Sequence, residues 1–129
     1  MNRALADADL STKDIFHVNA HATSTPAGDV AEAKAIRKVL GTDADHAPVT
    51  AVKGVAGHLL GGAGSLAAIA SILAIKNRII PPVGNLVNLA DGVDVDVVMN
   101  QPRELPSGDI AALSNSFGFG GHDIVLAFR

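Results

Sequence analysis

Between Leu59 and Ile75 the chain runs LLGGAGSLAAIASILAI, seventeen residues without a charge. Such a run is too long for a strand and reads as a helix, and a helix apolar on every side has to be covered on every side. A bilayer could cover it, but a spanning helix wants about 20 residues of higher hydrophobicity than this Gly-, Ala- and Ser-rich stretch offers. His58 and Lys76 also close its two ends. The run therefore predicts a helix from about His58 to Asn77, buried between two layers, and no membrane span.

The flanking segments can supply layers. Ile15 to Ala20 (IFHVNA) and Val49 to Val52 read as short strands, and Ile110 to Asn115 and Asp123 to Phe128 as two more, joined by SFGFGGH in a Gly-rich hairpin. Pro26 to Leu40 has helical spacing. Pro26 suits a first helical position after Thr25, Asp29 and Glu32 lie near the start, Arg37 and Lys38 lie near the end, and Gly41 stops it. Residues 2–9 place Ala4, Leu5 and Ala8 on one face of a further helical segment. Arg78 to Leu89 is extended and interrupted by proline, and Val93 to Met99 alternates apolar and acidic residues before an apolar pair. Strand–helix–strand–helix followed by strands predicts an α/β domain with helices on both faces of a mixed sheet.

Composition narrows the function. With 129 residues, 48% of them hydrophobic, the chain can bury the core of one domain. A net charge of -3 gives no electrostatic reason to bind nucleic acid or an anionic membrane. The N-terminus, MNRALADADL, lacks the apolar region of a secretory signal, which makes the cytoplasm the default location. There is no cysteine, which excludes a disulfide framework, a thiolate zinc site and a cysteine nucleophile within these residues. The opening inside an amphipathic helix, with no cap and no strand ahead of it, reads as a piece of a longer protein.

Three clusters could carry chemistry. Asn19-Ala20-His21-Ala22-Thr23-Ser24-Thr25 falls at the C-terminal end of a strand, where α/β sheets place ligands, and His21 there could polarise a carbonyl. The same residues also read as a helix N-cap run beside an incidental histidine. In Val52-Lys53-Gly54-Val55-Ala56-Gly57-His58, the histidine sits at the expected mouth of the uncharged helix, where the dipole favours a neutral ring. Alternatively, Lys53 snorkels to solvent and His58 merely caps the helix. Asn115-Ser116-Phe117-Gly118-Phe119-Gly120-Gly121-His122 can expose backbone N–H groups and carry a ring on a hinge, or it can be a hairpin whose rings close the core. His21, His58 and His122 lack metal-ligand spacing, so no metal is expected, and Gly57–Gly64 lacks the endings of a nucleotide loop.

Taken in order, NAHATSTPAGD, VKGVAGHLLGGAG and NSFGFGGH closely resemble the C-terminal half of β-ketoacyl-acyl-carrier-protein synthases of the synthase II type. The intervening IIPPVGNL and VDVVMNQPREL extend the resemblance over nearly the whole chain. It implies that residues 1–129 form a layered α/β/α thiolase-like half, with a mixed, roughly five-stranded sheet and a buried central helix. It also implies that the other half, which holds a cysteine nucleophile, and the first strand of this half lie outside these residues.

The implied chemistry is a decarboxylative Claisen condensation in fatty-acid elongation. The cysteine takes an acyl chain from acyl carrier protein, malonyl carrier protein decarboxylates, and the carbanion attacks the thioester. By motif match, His21 and His58 would polarise the malonyl thioester oxygen. Lys53 would order their network, with Glu32 as an acid beside it. Thr23 and Thr25 would hold the phosphopantetheine arm, with Phe117 also at the substrate, and Phe119 would be the gate whose N–H helps an oxyanion hole. No cofactor beyond the carrier-borne phosphopantetheine is implied, and the full-length protein would be a homodimer.

Two departures stand out. The family often has a glutamate where this chain has Ala67, and its last motif usually ends in Asn where this chain has Asp123. Without cysteine the chain alone is expected to be inactive. The competing readings are a non-catalytic module that binds a carrier protein or partner, a piece of a polyketide ketosynthase, and a thioester hydrolase using His21 and His58.

Overall fold

The computed structural model describes residues 1–129. Its elements are α1 (Asn2–Asp7), β1 (Ile15–Asn19), α2 (Pro26–Leu40), β2 (Val49–Thr50), α3 (Lys53–Ala56), α4 (Ala63–Asn77), β3 (Ile79–Ile80), β4 (Arg103–Glu104), β5 (Ala111–Gly118) and β6 (His122–Phe128). β1 is the hub. It pairs in parallel with β2 and with β5, and β5 turns back antiparallel to β6, giving the order β2-β1-β5-β6. The α/β class and mixed sheet expected from the sequence are present.

The sheet has four regular strands, with a fifth place filled by one bridge. Val97 pairs with Val49 in parallel, and the Val49 and Val98 N–H groups donate to the Asp96 and Val49 carbonyls. Asp94 and Asp96 alternate with the valines here, and such charges keep an edge short. β3 and β4 form a separate two-stranded ladder beside a small cluster of Ile80, Val98, Leu105 and Ile110.

Helices cover the two faces through the alternation of strand side chains. Val18 of β1 and Ala20 just past it join Leu113 of β5 in a cluster with Ile36 and Leu40 of α2. Asn19 points the other way, donating its side-chain N–H to the Ala67 carbonyl of α4 at 3.1 Å. α2 keeps its expected bounds because Thr25 is extended, Pro26 starts the first turn, and Gly41 at φ +60 leaves it.

α4 differs from expectation in two ways. It begins at Ala63 rather than near His58. Gly57 at φ +69 and Leu60 at φ +50 interrupt the path, and glycines at 57, 61 and 62 disfavour helix. Nor is α4 buried between two layers. Ala67, Ser71 and Ala74 pack on the sheet, whereas Ile69, Leu73 and Ile72 are 55%, 49% and 46% exposed, and no element of these residues covers them. The 18-residue stretch Leu60–Asn77 is long and apolar enough to cross a membrane by length and composition alone. Its small-residue stripe on β5 and β1 is that of a domain helix.

His17 shares the α4-facing side of β1 with Asn19. It is 1% exposed, and neither ring nitrogen has a partner. Burial pushes its pKa down from 6.5 to about 4. Between those values the unfolded chain binds a proton that the folded chain refuses. Stability is therefore full above pH 6.5 and declines as pH falls through about 4. At about 1.4 kcal/mol per unit the loss is about 3 kcal/mol. Urea titrations across this range should show the slope in the wild type and a flatter one in His17→Phe; equal slopes would assign acid sensitivity elsewhere.

Candidate functional site

The chain leaves β1 through a strained stretch. Ala22 has φ +32 and Ser24 φ +61, conformations that L residues avoid at a cost of about 1–3 kcal/mol each. Glu32 on α2 holds this stretch in place. The residue is 6% exposed, and its carboxylate takes three hydrogen bonds. Oε1 accepts from the His21 N–H and from Asn115 Nδ2, both at 2.9 Å, and Oε2 accepts from the Ala22 N–H at 2.8 Å. One buried side chain thus ties the end of β1, the start of α2 and the middle of β5.

The clamp presents the His21 ring beside His58. The ring centroids are 5.7 Å apart and the planes meet at 84°, edge to face. Phe117 flanks His21 at 5.8 Å. His58 is exposed and lies in the non-helical stretch before α4, not at the helix mouth expected from the sequence. A backbone contact fixes its orientation instead. The Leu60 N–H donates to His58 Nδ1 at 3.0 Å, and a neutral ring accepting at Nδ1 carries its proton on Nε2.

Burial holds the His21 pKa below the usual imidazole value, and the positive charge of Lys53 adds to this. His58 acts in the same direction, while the carboxylates of Glu32 and Asp29 oppose it. Burial likewise lowers Lys53, against the pull of Glu32. Lys53 is the first residue of α3, just past β2, and the next residue fixes its position. A Cβ on Gly54 would overlap the Gly84 carbonyl oxygen, and Asn85 Nδ2 donates to the Gly54 carbonyl at 2.7 Å. Gly54→Ala should cost about 1–3 kcal/mol, seen as a lower urea midpoint, because the blocking atom is backbone. An unchanged midpoint would mean that the 84–85 turn yields freely.

The other expected site residues are more dispersed. Thr23 is half-buried beside His21; Thr25 is exposed at the N-cap of α2, and its hydroxyl makes no cap bond. Phe117 and Phe119 part company along β5. Phe119 stands in the hairpin turn with Gly120 and Gly121 at φ +80 and +81, its side chain fully exposed and its ring in no contact with either histidine. The structure thus gathers His21, His58, Phe117, Lys53 and Glu32, and leaves Phe119 apart. Sequence reasoning overlooked Asn115 as a partner of Glu32; the available signal was an amide at the end of an apolar strand, just ahead of Phe117. It likewise overlooked the Ala67 carbonyl, which accepts from both Asn19 Nδ2 and Ser71 Oγ.

Two imidazoles at right angles can each offer an N–H to one oxygen. Donors fixed in advance around a developing negative charge are the strongest electrostatic device available to such a site. No sulfur nucleophile stands beside them, since the chain has no cysteine.

Residues 1–87 match the family model described as "Beta-ketoacyl synthase, C-terminal domain". The chain is 48% identical over 126 residues to a 3-oxoacyl-[acyl-carrier-protein] synthase 2 of Mycobacterium leprae, covering 98% of this chain and 29% of that protein. A Staphylococcus aureus protein of the same name is 45% identical over 130 residues, 100% of this chain and 32% of that one. Among solved structures, a beta-ketoacyl synthase from Burkholderia phymatum is 36% identical with a TM-score of 0.90, covering 100% of this chain and 31% of that one. A type II polyketide acyl-carrier protein in complex with its ketosynthase, bound to the hexaketide, gives 31% identity and a TM-score of 0.89, over 98% of this chain and 31% of that one. The chain therefore spans about a third of the length of the relatives it matches.

Proposed function

This chain belongs to the β-ketoacyl synthase family as its C-terminal domain, and from that premise we propose that it supplies the decarboxylation half of a condensing enzyme's active site. The observation that carries the reading is the pair of rings of His21 and His58, edge to face at 5.7 Å. Their two N–H groups converge on the thioester oxygen of a malonyl group borne on acyl carrier protein. Loss of CO2 leaves the bond pair on the α-carbon and, by resonance, negative charge on that oxygen, which the two donors stabilise. The carbanion then attacks an acyl thioester on a cysteine that these 129 residues do not contain, forming the C–C bond and releasing the thiolate.

In this reading burial keeps His21 neutral, and the charge of Lys53 adds to it. Thr23 and Thr25 flank the path of the phosphopantetheine arm. Phe119, on its glycine hinge, gates the site, with its N–H at the acyl oxyanion. Ala67 brings no carboxylate, so any water held there is held by backbone and by Asn19. The reaction serves fatty-acid elongation in the cytoplasm, in a homodimer of the full-length enzyme. A polyketide pathway uses the same chemistry, and the ketosynthases among the structural relatives favour keeping it as the second pathway.

The test combines this chain with the segment of the Mycobacterium leprae relative that it does not match. CO2 release from malonyl carrier protein and a ketoacyl product are expected only from the combined pair. An associated, soluble pair without product would overturn the reading. Carrier binding by the isolated chain, with no turnover in the pair, would establish the second reading, a non-catalytic carrier-binding module, which the absence of cysteine favours.

A further inference from the structure

A separate cavity of about 160 Å³ lies on the α2 side of the sheet. Its floor is Ala20 at the end of β1 with Val49 and Thr50 of β2. One wall is Ala33 and Ile36 of α2, and its roof is the loop from Val83 to Val97. The roof is fastened on three sides. Arg37 Nε donates to the Asp94 carbonyl at 3.2 Å, the Val83 N–H donates to the Val98 carbonyl at 2.9 Å, and Val49 and Val97 bridge in the sheet. All of these walls belong to this chain, and they lie across the sheet from the uncovered face of α4.

The lining is mainly apolar, but two carboxylates, those of Asp29 and Glu32, reach it along α2. They differ in how they are satisfied. Glu32 carries its three hydrogen bonds, whereas Asp29 Oδ1 is shut off from solvent and has no partner. No lysine, arginine or histidine lines the cavity. An enclosed acceptor with no donor leaves a deficit that a bound group with N–H donors and positive charge would fill. The apolar remainder has the volume that accommodates one six-membered ring, since a cavity of about 150 Å³ takes benzene.

We infer that this cavity is a binding site for a small arylalkyl ammonium, with the ring among Ala33, Ile36, Val49 and Val93 and the ammonium on Asp29 Oδ1. Glu32 faces the cavity and also grips the His21 and Ala22 N–H groups, so an occupant would touch the support of the histidine site from behind. The inference does not depend on the condensation chemistry, because it concerns residues on the other side of Glu32.

The test is a titration of the 129-residue chain with benzylammonium, followed by amide NMR shifts. Saturable shifts are expected at Ala33, Val49 and Val93, with a smaller response at His21 and Ala22. Asp29→Asn should weaken binding at least tenfold while keeping the dispersed spectrum. Benzyl alcohol, which fills the same volume without charge, should bind at least tenfold more weakly than the amine. Ala33→Leu should abolish the shifts by filling the space; if that variant does not fold, Ala90→Leu tests the same point from the roof. Absence of saturable shifts at millimolar amine would overturn the inference, as would equal binding of the alcohol or indifference to Asp29→Asn.

Discussion

Glu32→Ala is expected to be the most damaging single truncation in this chain, costing about 3–5 kcal/mol of folding stability. The substitution removes one side chain but leaves three donors without acceptors: the His21 and Ala22 N–H groups and Asn115 Nδ2. Each buried donor left unmade costs about 1–3 kcal/mol, and the charged acceptor made these bonds stronger than neutral ones. Glu32→Gln should cost less, since its amide oxygen still accepts, but its NH2 group faces a donor.

The damage has a local signature. Glu32 also holds Ala22 at φ +32, a conformation that glycine adopts freely. Ala22→Gly in the wild-type background should therefore gain about 1 kcal/mol. In the Glu32→Ala background, where nothing imposes that φ, it should gain less. Urea denaturation of the four proteins closes this cycle. A Glu32→Ala midpoint within error of wild type would show that water substitutes for the carboxylate, and the clamp would lose its meaning.

The second large effect concerns chemistry. In the combined enzyme, His21→Ala or His58→Ala is expected to lower malonyl decarboxylation about 10²–10³-fold each, the usual consequence of removing one fixed donor from an oxyanion. The double variant should fall well short of the product of the two, because groups that stabilise the same charge act as a unit. Loading of the acyl chain onto the nucleophile should persist in all three, because that step does not build charge on the malonyl oxygen. The readouts are CO2 release and acyl-enzyme mass. A variant that loses both equally would place that histidine in folding or in acyl transfer.

Much of this arrangement was readable from residue order, and the parts that were not have identifiable causes. α2 was legible to the residue because its signals are local: Pro26 opens it, Gly41 closes it, and the charges match the dipole. The start of α4 was not legible. An unbroken apolar run suggested one continuous helix, and nothing in hydropathy announces that Leu60 takes a positive φ. The burial of α4 was misjudged for a related reason, since an all-round apolar helix demands two layers and the sequence does not say which residues provide the second. His21 and Lys53 were legible as cluster members by their places at strand ends, and His58 by its place just ahead of the uncharged run. Their support was not. The Glu32–Asn115 bond joins residues 83 positions apart, and the Leu60 N–H that orients His58 is a backbone group with no sequence signature.

The pairing of β1 with β5 also bears on how the chain is made. Ile15 lies opposite Ala111, so the central strand receives one of its two neighbours only after nearly a hundred further residues have been polymerised. At synthesis rates of about 5–20 residues per second, that wait lasts about 5–20 s. Throughout it, β1 presents a bare strand edge to the crowded surroundings of the ribosome. Nascent chains stalled before residue 111 should therefore be held by chaperones, and those carried past Phe128 should be released.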